Sequence, residues 1–380
     1  MKKHLSTLLV ALLCVASLLS LFACAGTDGI TLGEFQAPVD IHTELQSYYL
    51  QVRFNTDYTP DVDTDEVKGI AELSRPDPVK LTWKSGKTHE EYKLEVSENA
   101  DLTNAQTFYT PQTSYNLYNC KIATKYYWRV SADGEQSAIG TFATASDGPR
   151  NLYVDGVTNF RDVGGWMTAS GKRMKQGIIY RSARWNASYR LDADGNEVKY
   201  EEPDAVVAEI TAAGKSVVVG QLGIRTEVDF RLDARNGYPT GAPLVSVVEG
   251  VNYVAISMKG SADMHTANDA QLKQLMELLA DSNNYPVVYH CNIGTDRTGM
   301  VSYIIGALCG MSEEDLLRDY LFSNFGKIDD VKTPSNTHNA YFGFDGYDGA
   351  TLQQRAESYL QSIGVSAETY NAIRNNLLAD

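Results

Sequence analysis

The chain has 380 residues, a formal net charge of −15, 43% hydrophobic residues and five cysteines. An acidic excess of this size repels nucleic acid and anionic headgroups, so neither is expected as a general partner, and an anionic ligand must be held by a local cluster of donors. The length suits two domains. The three widely spaced cysteines beyond residue 24 form no disulfide framework.

Residues 1–23 read as an export signal. Lys2 and Lys3 precede an apolar run from Leu8 to Phe22 that is too short for an ordinary membrane span of ~20 residues. Leu21-Phe22-Ala23-Cys24 resembles the lipobox of bacterial lipoproteins, and that resemblance implies acylation of Cys24, with the mature chain anchored outside the cytoplasm on the bacterial cell membrane. Loss of the leader, which carries two lysines and no acid, deepens the charge to −17. Residues 24–44 read as a polar tether.

From 45 to 147 the pattern is all-β. Val79-Lys80-Leu81-Thr82-Trp83, Tyr92-Lys93-Leu94-Glu95-Val96 and Tyr126-Tyr127-Trp128-Arg129-Val130 alternate apolar and polar residues between turn signals, and Ile139-Gly140-Thr141-Phe142 supplies a last short strand. The Leu81-Thr82-Trp83 and Tyr-Tyr-Trp-Arg-Val segments resemble the fibronectin type III family, which implies a β-sandwich with Trp83 and Trp128 in its core. Asp147-Gly148-Pro149-Arg150 marks a boundary. From 148 to 380 short strands alternate with helices: strand-like runs at Ser216–Val219, which reads alternatively as a helix-to-strand join, and Glu227–Phe230, an amphipathic helix over Leu272–Leu279, a buried strand at Pro286–Tyr289 and an apolar helix over Met300–Leu308. Ser312 with Asp315 suggests a capping box. The fold class is therefore multidomain, an all-β sandwich followed by an α/β domain with a mostly parallel sheet.

The chemistry concentrates in His290-Cys291-Asn292-Ile293-Gly294-Thr295-Asp296-Arg297-Thr298-Gly299, between a strand and a helix. A loop in that place aims consecutive backbone N–H groups into one concavity, backed by the helix N-terminus. Asn292, Ile293, Gly294, Thr295 and Thr298 are the candidate substrate-binding positions, and Arg297 can grip two phosphate oxygens at once. The same field favours the thiolate of Cys291, the candidate nucleophile, and Thr298 can hydrogen-bond the sulfur as it leaves.

The Cys-x-x-x-x-x-Arg-Thr-Gly loop resembles that of the cysteine-based protein tyrosine phosphatases. Upstream, Thr158–Gly165, Gly177–Ser182, Leu222–Thr226 and Val228–Arg231, with Asp319-Tyr320 downstream, resemble a bacterial branch that includes secreted phosphatases. The resemblance covers about 150–380. It implies hydrolysis of phosphate monoesters through a cysteinyl-phosphate, on phosphotyrosine and in some members on phosphoserine, phosphothreonine or phosphoinositides. It implies an aspartate that protonates the leaving oxygen: Asp296 is favoured, and Asp229 is a supporting or alternative acid whose competing reading is an ion pair with Arg231 or Arg225. Arg161 and Asp162 read as a turn braced by an ion pair, His290 as a framework residue, and Arg181 as either substrate contact or framework. Members that accept phosphoinositides often carry lysine where this chain has Thr295, which points to a phosphorylated protein or peptide as partner. The alternatives are a phosphoinositide or inositol-polyphosphate phosphatase, or an inactive phosphatase-fold surface lipoprotein.

No metal or organic cofactor is implied. Cys309 reads as a core residue, Cys120 lies outside any motif, and 326–349, with Tyr341, Phe342, Phe344 and Tyr347, reads as a lid or as a loop with self-packed aromatics.

Overall fold

The computed structural model describes residues 29–51, 67–200, 209–238, 240–260, 264–333 and 343–379. The leader, Cys24 and the first residues of the tether, 24–28, lie outside these residues, as do Tyr341 and Phe342. The rest of the expected tether is not free chain, because Thr31–Leu32 pairs with the strand at Val79–Lys84 and Ile30 and Ile41 are buried in the N-terminal core. Among the described residues, no helix is long and apolar enough to cross a membrane.

Two antiparallel sheets make up the N-terminal unit. In one, β2 (Val79–Lys84) lies between β1 (Thr31–Leu32) and β5 (Ser114–Leu117). In the other, β3 (Tyr92–Ser97) lies between β4 (Gln106–Thr110) and β6 (Lys125–Ala132), and β6 also pairs with β7 (Glu135–Gln136) and β8 (Gly140–Ala143). Alternation dictates which face is buried. Val79, Leu81 and Trp83 point inward while Lys80, Thr82 and Lys84 meet solvent. They join Leu94, Val96, Trp128, Val130 and Phe142 in one apolar cluster shared by the two sheets. Both tryptophans are therefore core residues.

The segment before β2 departs from the expected strand pattern. Residues Glu44–Gln51 form α1, and Tyr49 packs edge-on against Phe322 and Phe325, with ring centroids 5.7 and 5.4 Å away, inside the core of the following unit. Gln46, fully buried, donates to the carbonyls of Leu73 and Arg75 and accepts from Asn151. Thus α1 and the strap around 67–75 are built onto the α/β unit, although they lie between β1 and β2 of the N-terminal unit in sequence. Single aromatic and amide contacts made across ~270 residues leave no periodic signal in the chain.

The α/β unit carries a five-stranded sheet in the order β14 (Asn252–Ala255), β13 (Thr226–Asp229), β15 (Val287–His290), β10 (Ile179–Ser182), β9 (Arg161–Asp162); only β9 runs antiparallel. A separate hairpin joins β11 (Tyr189–Leu191) to β12 (Glu197–Lys199). Val287 and Tyr289 face a core formed with α4 (Asp269–Ala280), α5 (Asp296–Cys309), α6 (Glu313–Leu321), α7 (Leu352–Ser362) and α8 (Ala367–Leu377), whereas Val288 faces a second cluster with Phe160, Tyr180, Trp185 and Ile224. Both faces are covered, as a parallel sheet requires. Helix α5 is buried from Thr298 to Cys309, so its apolar run reflects burial on all sides. Ser312 caps α6, accepting from the Asp315 amide at 3.1 Å.

The run at 216–219 is not a strand. Thr211 caps α2 (Ala212–Ser216), which continues into a wider helical turn over Val217–Gln221. Val218 is buried and Val219 is not, so one face of a helical turn explains the apolar run. The short helix α3 (Met264–Ala267) precedes α4.

A buried arginine joins the two units. Arg150 donates to the Asn119 and Cys120 carbonyls of the β5–β6 connection at 2.5 and 3.1 Å, and to Asp162 on β9 at 2.9 Å. Asp162 also accepts from the amides of Gly164 and Gly177. Arg150→Ala strands that carboxylate in the interior, so chemical denaturation of the full chain is expected to show a loss of about 3–5 kcal/mol; a loss below about 1 kcal/mol would contradict this role.

Candidate active site

The register of the sheet brings three strand ends together. Ser182, Asp229 and His290 stand side by side at the C-terminal ends of β10, β13 and β15, where parallel sheets gather ligands. The loop that follows β15 is held from outside by its carbonyls. The Arg184 amide donates to Asn292 O at 3.0 Å. Asn159 Nδ2 donates to Ile293 O and Gly294 O at 3.1 and 3.2 Å, and Arg181 Nη2 donates to Gly294 O at 2.7 Å. A trans peptide points its C=O and its N–H in opposite directions. Three outward carbonyls therefore turn the N–H groups of Ile293, Gly294 and Thr295 inward. The amides from Asn292 to Arg297 donate to no acceptor among the described residues. They form an anion cup at the head of α5.

The donors that hold the loop are themselves fixed. Asp319, on α6, bridges Arg161 at 2.8 Å and Arg181 at 2.6 Å. Burial alone would raise its pKa; the two guanidinium groups outweigh it and the net shift is downward. Arg161 in turn donates to Asn159 Oδ1. Asn159 sits at φ 57°, a left-handed conformation that asparagine tolerates. Gly294 is also left-handed, at φ 73°, and a Cβ there would lie 2.4 Å from Ser182 O, so the loop needs glycine at this point.

Cys291 is 2% exposed at the start of the cup. Burial would raise its thiol pKa, but the Arg297 charge and the Thr298 hydrogen bond outweigh burial and the net shift is downward. The Thr298 hydroxyl is buried without a hydrogen-bond partner of its own among the described residues, which leaves it available to the neighbouring sulfur. Arg297 Nη1 is anchored on Phe230 O at 3.0 Å and Met258 O at 3.3 Å, which spans the ends of β13 and β14 and fixes the guanidinium beside the sulfur.

Behind the cup, His290 donates from Nε2 to Glu227 at 2.9 Å and faces Cys291 O from Nδ1 at 3.2 Å. An acceptor at each nitrogen favours the protonated ring: burial opposes this, but Asp229 and Glu227 outweigh it and raise the pKa. Glu227, Asp229 and His290 are the one group among the described residues with metal-ligand spacing. Glu227 is committed to His290, and Asp229 carries the Arg231 guanidinium, so a cation placed there would meet a fixed positive charge.

The two candidate acids have different surroundings. Asp229 is fully buried and accepts from Arg231 Nε, Nη2 and N and from the Tyr253 hydroxyl. Burial would raise its pKa, but Arg231 and His290 hold it down to about 2. It has no proton to give near neutrality and stands as the ion-pair partner of Arg231, while Arg225 is exposed. Asp296 lies at the first turn of α5 with 43% of its side chain exposed, and its Oδ1 accepts from Lys332 at 2.9 Å. Thr295, buried, places its hydroxyl 3.3 Å from Asp296 Oδ2. Asn292 is exposed and Ile293 half-buried at the mouth.

Arg161 and Asp162 each take part in an ion pair, though not with one another. They reach to Asp319 and Arg150, because adjacent residues on β9 point to opposite faces. Arg181 is sealed from solvent and is framework. Phe344 stacks on Tyr303, with centroids 5.2 Å apart, and Tyr347 packs on Tyr359, so these two aromatics belong to the core and its edge. Sequence reasoning assigned no role to Asn159, Glu227, Asp319 or Lys332; Asn159 and Asp319 lay within motifs already singled out.

The tyrosine phosphatase family model matches residues 152–199 and 204–379. The chain belongs to the tyrosine phosphatase family. Among curated members, a Cupriavidus necator protein provisionally named as a tyrosine-protein phosphatase is 27% identical over 201 residues, which is 48% of this chain and 66% of that protein. A Nostoc commune tyrosine-protein phosphatase is 26% identical over 129 residues, 28% of this chain and 44% of that one. The chain thus spans under two thirds of either relative. Looser structural likenesses include Pseudomonas aeruginosa TpbA with phosphotyrosine (TM-score 0.30, 18% identity, 51% of this chain and 91% of that one) and the catalytic core of Saccharomyces cerevisiae Siw14 (TM-score 0.27, 17% identity, 49% and 84%). At these scores they add nothing to the family assignment.

The electrostatics of the cup predict a reactive thiol. The rate of iodoacetamide labelling at Cys291 should reach half its plateau below pH ~8.5, the value for a free thiol. Arg297→Ala removes the cation that favours the thiolate, so its midpoint should move to higher pH. Equal midpoints in the two proteins would contradict the assignment.

Proposed function

We propose that this chain is a protein-tyrosine phosphatase, with dual specificity as the wider form of the same reading, and that it works through a phosphorylated Cys291. The observation that carries the proposal is the loop with outward carbonyls and inward amides, with a thiol of depressed pKa at its start. In the first step the Cys291 sulfur attacks phosphorus in line, and the S–P bond forms as the P–O ester bond breaks. The inward amides and Arg297 hold the equatorial oxygens as charge spreads over them. The oxygen of the leaving group takes a proton from Asp296 or from water. In the second step a water, deprotonated by the Asp296 carboxylate, displaces the sulfur, which departs as a thiolate stabilised by Thr298.

The cellular setting belongs to the same proposal. Cys24 carries a lipid that tethers the protein outside the cytoplasm, and the fibronectin type III-like sandwich serves as a spacer between membrane and catalytic unit. The partner is a phosphorylated protein or peptide, a reading supported by Thr295 in the loop and by the acidic surface.

Cys291→Ser is expected to reduce phosphate release from an aryl phosphate by on the order of 10³-fold or more, and rapid acid quenching of the wild type should yield a phosphorylated Cys291 peptide by mass spectrometry. A panel of phosphotyrosine peptide, phosphoinositide and inositol hexakisphosphate should show the peptide as the best substrate. Residual turnover by Cys291→Ser at the wild-type rate would end the proposal. A wild type with neither turnover nor a trapped phosphocysteine would instead mark an inactive phosphatase-fold lipoprotein.

A further inference from the structure

Lys332 lies 35 residues beyond Arg297 in sequence, yet its side chain is buried against the rim of the cup. Its Nζ donates to Asp296 Oδ1 at 2.9 Å and lies 2.6 Å from Asp330 Oδ2. Burial would lower its pKa, but the two carboxylates outweigh burial and raise it, so the group is a fixed ammonium. The backbone is fixed as well. Asn324 donates to Lys332 O at 2.7 Å and accepts from Lys332 N at 2.8 Å. Asn324 O accepts from Gly69 in the N-terminal strap, and Gly69 O takes the amides of Ile328 and Asp329.

Asp296 is surrounded by donors. Lys332 and the Tyr320 hydroxyl, from α6, approach Oδ1, and the Thr295 hydroxyl approaches Oδ2; Arg297 and Cys291 are its charged neighbours along the loop and helix. A carboxyl group that protonates a leaving oxygen must carry a hydrogen on one oxygen and present it as donor. Here Asp296 is placed to accept. That suits the second half of the reaction, where a carboxylate activates water. It hinders the first half in proportion to the help the leaving group needs.

Leaving groups differ widely in that need. A phenol ionises near ~10 and departs as a phenolate that water can protonate afterwards. An aliphatic alcohol holds its proton about as tightly as water, at ~15.7, and depends on a proton delivered as the P–O bond breaks. Resting on the phosphatase reading above, we infer that Lys332 determines specificity: by holding Asp296 as a hydrogen-bond acceptor it withholds proton donation in the first step and selects aryl over alkyl phosphate esters. The cation that Thr295 does not supply within the loop is thus supplied from beyond α6, where it acts on the acid and not on a second phosphate.

The test compares kcat/KM on two peptides of one sequence, bearing phosphotyrosine or phosphoserine, for wild type, Lys332→Met and Lys332→Arg. Wild type should favour the aryl ester. Lys332→Met should narrow that preference about tenfold, a modest part of the 10²–10⁴ that a positioned acid can contribute, through a gain on phosphoserine; Lys332→Arg should keep the wild-type ratio. In an Asp296→Asn background the Lys332→Met change should leave the ratio where Asp296→Asn alone puts it. A wild type that prefers phosphoserine overturns the inference, as does a Lys332→Met protein that loses both activities equally or keeps the wild-type ratio. A wild type inactive on both esters, with no trapped phosphocysteine, overturns the phosphatase reading itself.

Discussion

A planar trans peptide cannot send its carbonyl and its amide to the same side, and the catalytic loop depends on that constraint. Asn159, Arg181 and the Arg184 amide take three successive carbonyls outward, so three successive amides face the space above Cys291. No side chain in the loop has to be an anion receptor for this to work. Arg297 adds a guanidinium held by the Phe230 and Met258 carbonyls, and α5 adds the partial positive charge of its N-terminus. Charge placed in this way serves two ends, since it stabilises the thiolate before reaction and the spreading phosphoryl charge during it.

The rest of the α/β unit can be understood as what keeps those three carbonyls in place. Asp319 bridges the two arginines on which the loop depends, from α6, which packs against α5. A buried Arg–Asp–Arg cluster is a poor source of stability, because its desolvation cost is close to its Coulombic gain. Its use here is positional. His290, between Glu227 and the Cys291 carbonyl, plays the same part at the loop's first residue. The N-terminal strap extends the scheme: the Ser74 hydroxyl accepts from the Asn159 amide, and Gly69 fixes the segment that carries Lys332. A stretch that precedes most strands of the N-terminal unit in sequence thus braces both the loop and its aspartate.

The loop was legible in the sequence because its parts are contiguous: cysteine, glycine, arginine and threonine fall at fixed offsets between an apolar strand and an apolar helix. The antiparallel strands of the N-terminal unit were legible by period-two alternation, as at Val79–Lys84. What could not be read was anything set by tertiary partners. Asp229 and Asp296 are both aspartates beside arginines in sequence, and only burial and hydrogen bonding separate a sealed ion pair from an exposed rim group. The run at 216–219 has strand composition, but the helix that Thr211 caps continues through it. Lys332 and α1 act across long sequence separations and carry no motif, so no pattern of spacing could have placed them.

A crystal structure of the protein grown with orthovanadate tests the arrangement most directly. The account predicts vanadium bonded to the Cys291 sulfur, its equatorial oxygens within hydrogen-bonding distance of the Ile293, Gly294 and Thr295 amides and of the Arg297 guanidinium. An oxyanion bound elsewhere, or loop amides turned away from it with Arg297 facing solvent, would contradict it.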